Sequence, residues 1–249
     1  MLDLARTWIK SQPALYDSMK AVARYCQLLD NDAAFEFFTA FARKRGGSVR
    51  FIQIGANDGL RNDPVREFIV GGQWRGVLVE PLPDVFELLK RNYPARLHDR
   101  LHFVNAAVSA ESRTLPLWSF RKEFLDSLSL EERLFYLRKA SFTRSHVESF
   151  LTAGRHSLEV IEQVDVPCVT VQSLAQQFFD SSEFDLLVID AEGHEASILS
   201  SIDFANTRPA GIFFESDHLA ERRREMAQLL IANGYTIQDL GVDTAATLN

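Results

Sequence analysis

Four short apolar runs, each closed by a small or acidic residue, constrain this chain more than any other feature. Val49–Ile54 leads into Gly55-Ala56-Asn57-Asp58-Gly59, Gly76–Val79 ends at Glu80, Phe184–Ile189 at Asp190, and Ala210–Phe214 at Glu215. Apolar runs of this length with little alternation read as strands buried on both faces, the habit of parallel sheets. Leu101–Val108, Val164–Val171 and Tyr235–Leu240 read as further strands, and Ala245–Leu248 is left open as a hairpin partner. Between them the spacing predicts helices: Asp63-Pro64 as N-cap and first position of one reaching about Val70, Asp84–Asn92, Ser173–Phe179, one after Gly193, and Leu219–Asn233 closed by Gly234. Strands alternating with helices predict a doubly wound, mostly parallel α/β fold with helices on both faces.

Two stretches break the alternation. Residues 1–45 hold no strand-like run but carry Ala34, Phe37, Phe38 and Phe41 at helical spacing, with Asn31 or Asp32 as N-cap and Gly46-Gly47 as the stop. After the extended Leu115–Trp118, the charged and helix-leaning Lys122–Ser157 reads as an insertion. The expected organisation is a single domain over 1–249: a helical extension (1–45), a core (49–117 and 160–249) and an insertion (118–159).

Composition excludes several functions. With 46% hydrophobic and 24% charged residues, the chain is that of a soluble globular protein. Its 27 basic against 34 acidic side chains give a net charge of -7, without the basic footprint of a nucleic-acid binder. Arg43-Lys44-Arg45 and Arg222-Arg223-Arg224 read as solvated faces. Cys26 and Cys168 are too few for a disulfide scaffold or zinc site, which fits a reducing compartment. The start Met1-Leu2-Asp3-Leu4-Ala5-Arg6 lacks a signal-peptide pattern, and no apolar stretch is long enough to span a membrane, so a cytoplasmic location is expected.

In doubly wound sheets ligands bind at the carboxyl ends of the strands, where this chain carries its small-residue loop and its acids. The loop lets a ligand approach the backbone, and Glu80 can accept hydrogen bonds from both ribose hydroxyls, a nucleoside-binding layout. The dinucleotide pattern G-x-G-x-x-G fails because Asn57 and Leu60 stand where glycines are needed, so a nicotinamide-dependent reductase is disfavoured. The phosphate loop ending in Gly-Lys-Ser/Thr, G-x-S-x-G and H-E-x-x-H are all absent. Asn57 replaces a glycine at little cost because asparagine tolerates the left-handed conformation.

Ile54–Gly59, Val79-Glu80-Pro81, Asn105–Val108 and Asp185–Glu195, in this order at strand ends, resemble the FkbM family of S-adenosylmethionine-dependent methyltransferases. The resemblance covers about Val49 to Leu240. It implies the class I, Rossmann-like, mostly parallel seven-stranded methyltransferase sheet, with the N-terminal helices and helical insertion added to it. It also implies O-methylation of a hydroxyl on a sugar, polyketide or other small natural product. Carried over by position, Gly55, Ala56, Asn57 and Gly59 line the methionine part of the cofactor. Glu80, with Pro81 beside it, holds the ribose, and Asn105, Ala106 and Ala107 lie near the adenine. Gln53 departs from the family, which usually has an acid there; it can accept a hydrogen bond from the cofactor ammonium but brings no charge, for which Asp58 or Asp63 compensates. For Asp63 the plain N-cap reading before Pro64 is the stronger one.

Methyl transfer to a hydroxyl needs alignment and a base. The candidates are Asp190, Glu192 and His194 after one strand, and Glu215, Asp217 and His218 after the next; the reading favours Asp190, also beside the cofactor, with His194 or His218 assisting. Glu192 and Glu195 are equally at home in a helix's first turn. The acids and histidines of 190–195 and 215–218 could instead hold magnesium, making a magnesium-dependent sugar O-methyltransferase an alternative, but no spacing dictates a metal and none is assigned. The insertion, with Phe142, Arg144, His146, Arg155 and His156, is expected to lid the pocket and recognise an anionic or hydroxyl-rich acceptor. A homo-oligomer is compatible with the chain. The competing reading from another class is a non-catalytic cofactor-binding module for regulation or assembly, to which Gln53 lends support.

Overall fold

A computed structural model describes residues 12–25, 33–151 and 156–249. Two helices, α1 (Pro13–Tyr25) and α2 (Ala33–Lys44), precede β1 (Arg50–Ile54), α3 (Arg66–Gly71), β2 (Arg75–Val79), α4 (Pro83–Asn92), β3 (Leu101–Val104) and β4 (Ala107–Val108). Next come β5 (Thr114–Phe120), α5 (Lys122–Asp126), α6 (Leu130–Leu137), α7 (Arg144–Ser149) and β6 (Ile161–Val169). The chain closes with α8 (Val171–Phe178), β7 (Leu186–Ile189), α9 (Glu195–Ser201), β8 (Gly211–Glu215), α10 (Arg222–Ala232), β9 (Tyr235–Asp239) and β10 (Asp243–Leu248).

Seven strands form one sheet in the order β3-β2-β1-β7-β8-β10-β9, parallel except for β10, which runs antiparallel to both neighbours. The order reverses between β1 and β7, where doubly wound sheets bind ligands. Each central strand alternates between two cores: Ile52, Ile54, Val77, Val79, Leu187, Ile189, Ile212 and Phe214 face α8, α9 and α10. Phe51, Leu78, Leu186, Val188 and Phe213 face α2, α3 and α4. The α/β fold with helices on both faces is therefore as expected. Phe38 of α2, fully buried, meets Phe213 at 4.7 Å between ring centroids, so the helical extension is part of this core. Arg66 is also buried; its guanidinium donates to Asp17 at 2.7 and 2.9 Å and lies over Tyr93, pinning α1 to the domain.

The membership of the sheet corrects the sequence reading. Val164–Val171, which the sequence presents as a strand of the core, lies mostly in β6, which pairs with β4 and β5 in a separate three-stranded sheet. Its burial alternates and Pro167 interrupts it, both signs of a half-exposed strand outside the central layer. Leu101–Val108 is two strands in two sheets, broken at Asn105. The seventh place goes to β10, whose Ala245 and Ala246 pack opposite Phe213 and Ile212. The insertion's helices α5 to α7 connect β5 and β6 and share a third core that includes Leu117, Phe120, Tyr136, Leu137 and Val147. The helix read from Asp63-Pro64 begins at Arg66, and Gly234 is left-handed (φ 89) as expected of a helix stop. The N-cap at Asn31 or Asp32, Cys26, Arg155 and the first residues lie outside the described residues. Among the described residues no helix is long and apolar enough to cross a membrane.

Candidate active site

Strand register brings the sequence-predicted residues together. Ile54 pairs with Val79 on one side and Ile189 on the other, and Ile189 pairs with Phe214, so Gly55, Glu80, Asp190 and Glu215 leave the sheet side by side. Gly55 is left-handed (φ 71), and a Cβ there would lie 1.7 Å from the Asp190 carbonyl oxygen, so only glycine lets the loop pass the end of β7. Asn57 also adopts the left-handed conformation (φ 52).

Glu80 is buried and fixes this loop: one carboxylate oxygen accepts from the Asn57 N–H at 3.1 Å and the other from the Leu82 N–H at 3.0 Å. Burial pushes its carboxyl up to about 7 against the pull of those two amides, with the charges of Asp190 and Asp58 adding to the rise. The Asn105 side chain donates to the Glu80 and Pro81 carbonyl oxygens and holds the turn after β2. Asp58 accepts from the Leu60 and Arg61 amides, and Gly59 packs against Leu89 and Tyr93; these two and Asn105 support the loop from outside the cavity lining. Asp63 accepts from the Val65 and Arg66 amides, the N-cap role, and also from the Tyr93 hydroxyl and Gln53 amide. Burial raises its carboxyl despite these bonds.

Two connected chambers lie over the strand ends. A slot of about 50 Å³ runs between Glu80, Pro81, Ala106 and Ala107 on the sheet side and Leu117, Leu137, Ala140 and Phe142. A larger cavity of about 440 Å³ is bounded by Gln53, Ala56, Asp63, Glu215 and Asp243 and, from the insertion, Phe135 and Lys139. Gly55, Asn57, Arg138, Asp190 and Glu192 line both. In the larger cavity's wall, Gln53 Oε1 and Asp190 Oδ1 are buried without hydrogen-bond partners.

Electrostatics divides the acids. Burial raises Asp190 and Glu215, and each is raised further by the carboxylates around it. Burial opposes the charge of Glu192 too, yet its bonds to His146 (2.9 Å) and Lys139 (2.6 Å) hold its carboxyl below the usual range. Glu192 is left-handed (φ 47), and its carbonyl oxygen accepts from Ser141, so three side chains of the insertion grip this one residue.

The histidines stand further back. His194 is half-buried against Phe142, and burial lowers its pKa, with Arg222 adding to the effect. His218 lies 3.5 Å from Glu215 with its ring against His146; burial lowers it as well. Neither lines the two chambers. Within the insertion, Phe142 reaches the slot, whereas Arg144 stacks on Trp118 and pairs with Glu148, and His156 packs on Phe124 and Tyr136. The cavity-lining cations Arg138 and Lys139 went unnoticed in the sequence, where they are two charges at the end of a helix with no motif around them.

A family model described as "Methyltransferase FkbM domain" matches residues 53–237. No curated protein matches the chain. Among solved structures, the methyltransferase FkbM from Methylobacillus flagellatus KT is 11% identical with a TM-score of 0.47, over 81% of this chain. This chain spans 44% of the length of that protein. An O-methyltransferase from Bacillus cereus, described in complex with SAH, is 14% identical with a TM-score of 0.40, covering 93% of this chain and 90% of that one. Fibrillarin from Aeropyrum pernix, described with natively bound S-adenosyl-L-methionine, is 13% identical with a TM-score of 0.40, covering 84% and 74%.

Proposed function

The chain belongs to the FkbM methyltransferase family, and from that premise we propose that it transfers a methyl group from S-adenosylmethionine to a hydroxyl oxygen of a small acceptor of the sugar or polyketide kind. The observation that carries the reading is the register that seats a Gly-x-Asn loop, Glu80 and Asp190 around one cavity at the point where strand order reverses.

The residues present fit this cofactor. Gln53 Oε1 is a buried acceptor without a partner in the larger chamber, suited to the amino-acid ammonium. Glu80, in the slot, keeps lone pairs beyond the two used by Asn57 and Leu82 for ribose hydroxyls. Ala106 and Ala107 give the slot an apolar wall for a base. At about 50 Å³ the slot is smaller than the roughly 300 Å³ at the low end of ligand pockets, so seating the cofactor there requires the Leu137, Ala140 and Phe142 side chains to give way. The cofactor, when bound, supplies an electrophilic methyl on sulfur. The chain's own part is then to seat the acceptor in the larger chamber, exclude water beneath the insertion, and take the hydroxyl proton onto Asp190, whose partnerless oxygen and raised pKa suit a base working near neutrality. His194 and His218 lie outside the lining, and no proton-transfer role is assigned to them. In this proposal one methyltransferase domain carries the helical extension (1–45) and the insertion (118–159) on its core (49–117 and 160–249).

The test is S-adenosylhomocysteine release from purified protein, S-adenosylmethionine and a panel of hydroxylated acceptors. Asp190→Asn should lose turnover and keep much of its cofactor affinity, while Glu80→Ala should lose cofactor binding. Equal loss of binding in both variants would overturn these roles, and binding without release on any acceptor would favour a non-catalytic module.

A further inference from the structure

The ends of β7 and β8 and the start of α9 bring together more carboxyl oxygens than their hydrogen bonds satisfy. Asp190, Glu195 and Glu215 come from three separate elements, and each offers a carboxylate oxygen within 4.8 Å of the other two. Glu195 is completely buried: its Oε1 accepts from the Ala191 and Gly193 amides at 2.7 and 3.2 Å, and its Oε2 has no partner. Asp190 Oδ1 and Glu215 Oε2 are likewise buried without a hydrogen bond. The nearby cations do not supply one: Lys139 is bound to Glu192, and the His218 imidazole reaches Glu215 only at 3.5 Å. Unpaired buried carboxylates are costly, so three within 4.8 Å of one another either share protons or hold a positive charge among them.

We propose that Asp190, Glu195 and Glu215 form a binding site for one hard divalent cation, of the magnesium, manganese or calcium class, in the wall of the acceptor chamber. The ligand set is all carboxylate oxygen, which selects hard cations over zinc or copper. The spacing agrees: the three oxygens lie within 4.8 Å of one another, and oxygens on opposite sides of a cation are about 4.2 Å apart around magnesium and about 4.8 Å apart around calcium. At most a small contraction brings them round a cation of this class. The site is built rather than incidental, since Glu195 is held by two backbone amides, keeps a buried oxygen without a partner and offers a carboxylate oxygen to the other two acids. The purpose of the site rests on the methyltransferase reading: a cation here would make an adjacent acceptor hydroxyl more acidic.

The experiment is titration of Mn²⁺ into the full chain, followed by the loss of the free-ion electron paramagnetic resonance signal, with calorimetric titrations of Mg²⁺ and Ca²⁺, in the absence of cofactor and acceptor. Wild type should bind one Mn²⁺ per chain, and Glu195→Gln and Glu215→Gln should each weaken it at least about tenfold. Glutamine at 195 keeps a carbonyl oxygen for the two amides; should that variant still fail to fold, Glu215→Gln, at a part-exposed position, carries the test. His146→Gln, in the neighbouring His146–Glu192–His218 group, should leave the affinity unchanged. Absence of saturable binding, meaning the acids share protons, or binding that falls with His146→Gln and not with the glutamate variants, would overturn the proposal. S-adenosylhomocysteine affinity measured on the same samples separates this outcome from failure of the methyltransferase reading.

Discussion

Replacing Glu80 by glutamine should move stability and cofactor affinity in opposite directions at alkaline pH. The carboxyl is buried, and burial outweighs the Leu82 and Asn57 amides to lift it from 4.5 to about 7. A carboxyl raised in the folded state binds its proton more tightly there than in the unfolded chain. Its contribution to stability is therefore fully present below pH 4.5 and is lost as the pH climbs through about 7. At about 1.36 kcal/mol per unit, the interval from 4.5 to about 7 corresponds to about 3 kcal/mol. Urea melts at pH 5 and pH 8 should show wild type losing up to that much more than Glu80→Gln across the window. A pH-independent offset of about 1 kcal/mol against the variant is expected, because its amide accepts from only one of the two backbone donors. Calorimetric titration at pH 8 should show S-adenosylhomocysteine binding weakened by about 1.5–3 kcal/mol, the worth of hydrogen bonds to a charged acceptor. A stability difference that stays flat from pH 5 to 8, or an unaltered affinity, would refute the reasoning.

Other substitutions test other links. Gly55→Ala forces a side chain into a left-handed position and onto the Asp190 carbonyl, so S-adenosylhomocysteine affinity should fall at least about tenfold with a lower melting temperature. Arg66→Ala strands Asp17 and the Asn92 carbonyl and should cost about 3–5 kcal/mol in urea unfolding. Glu192→Gln removes the charge that ties Lys139 and His146 to the loop after β7; hydrogen exchange of residues 138–149 should accelerate while that of β1 and β7 stays unchanged.

The central strands were legible because burial on both faces leaves continuous apolar runs, and the site was legible because those runs stop at Gly55, Glu80, Asp190 and Glu215. Pairing register then turns neighbours at strand ends into neighbours in space. Two strands misled for physical reasons. β10 offers Ala245 and Ala246 where a strand usually shows branched residues, since Phe213 and Ile212 of β8 stand opposite them. β6 has valines and an isoleucine enough for a core strand, but Asp165 and Pro167 mark it as a half-exposed one. Of the insertion's share of the site, Phe142 was legible but Arg138 and Lys139 were not, because they reach the cavity only through the packing of α6 and α7 on β5, which no local spacing encodes. The grip on Glu192 is of the same kind: its left-handed backbone and its bonds to Lys139, Ser141 and His146 join segments far apart in sequence.

The central claim is that the loop after β1 and the acid after β2 hold an S-adenosyl cofactor. The most direct measurement is calorimetric titration of S-adenosylmethionine, S-adenosylhomocysteine and NADH into wild type and Glu80→Ala. Micromolar binding of the first two, absent for NADH and lost in the variant, is the expected result; no binding of either S-adenosyl compound to wild type, or equal binding to the variant, would contradict the account.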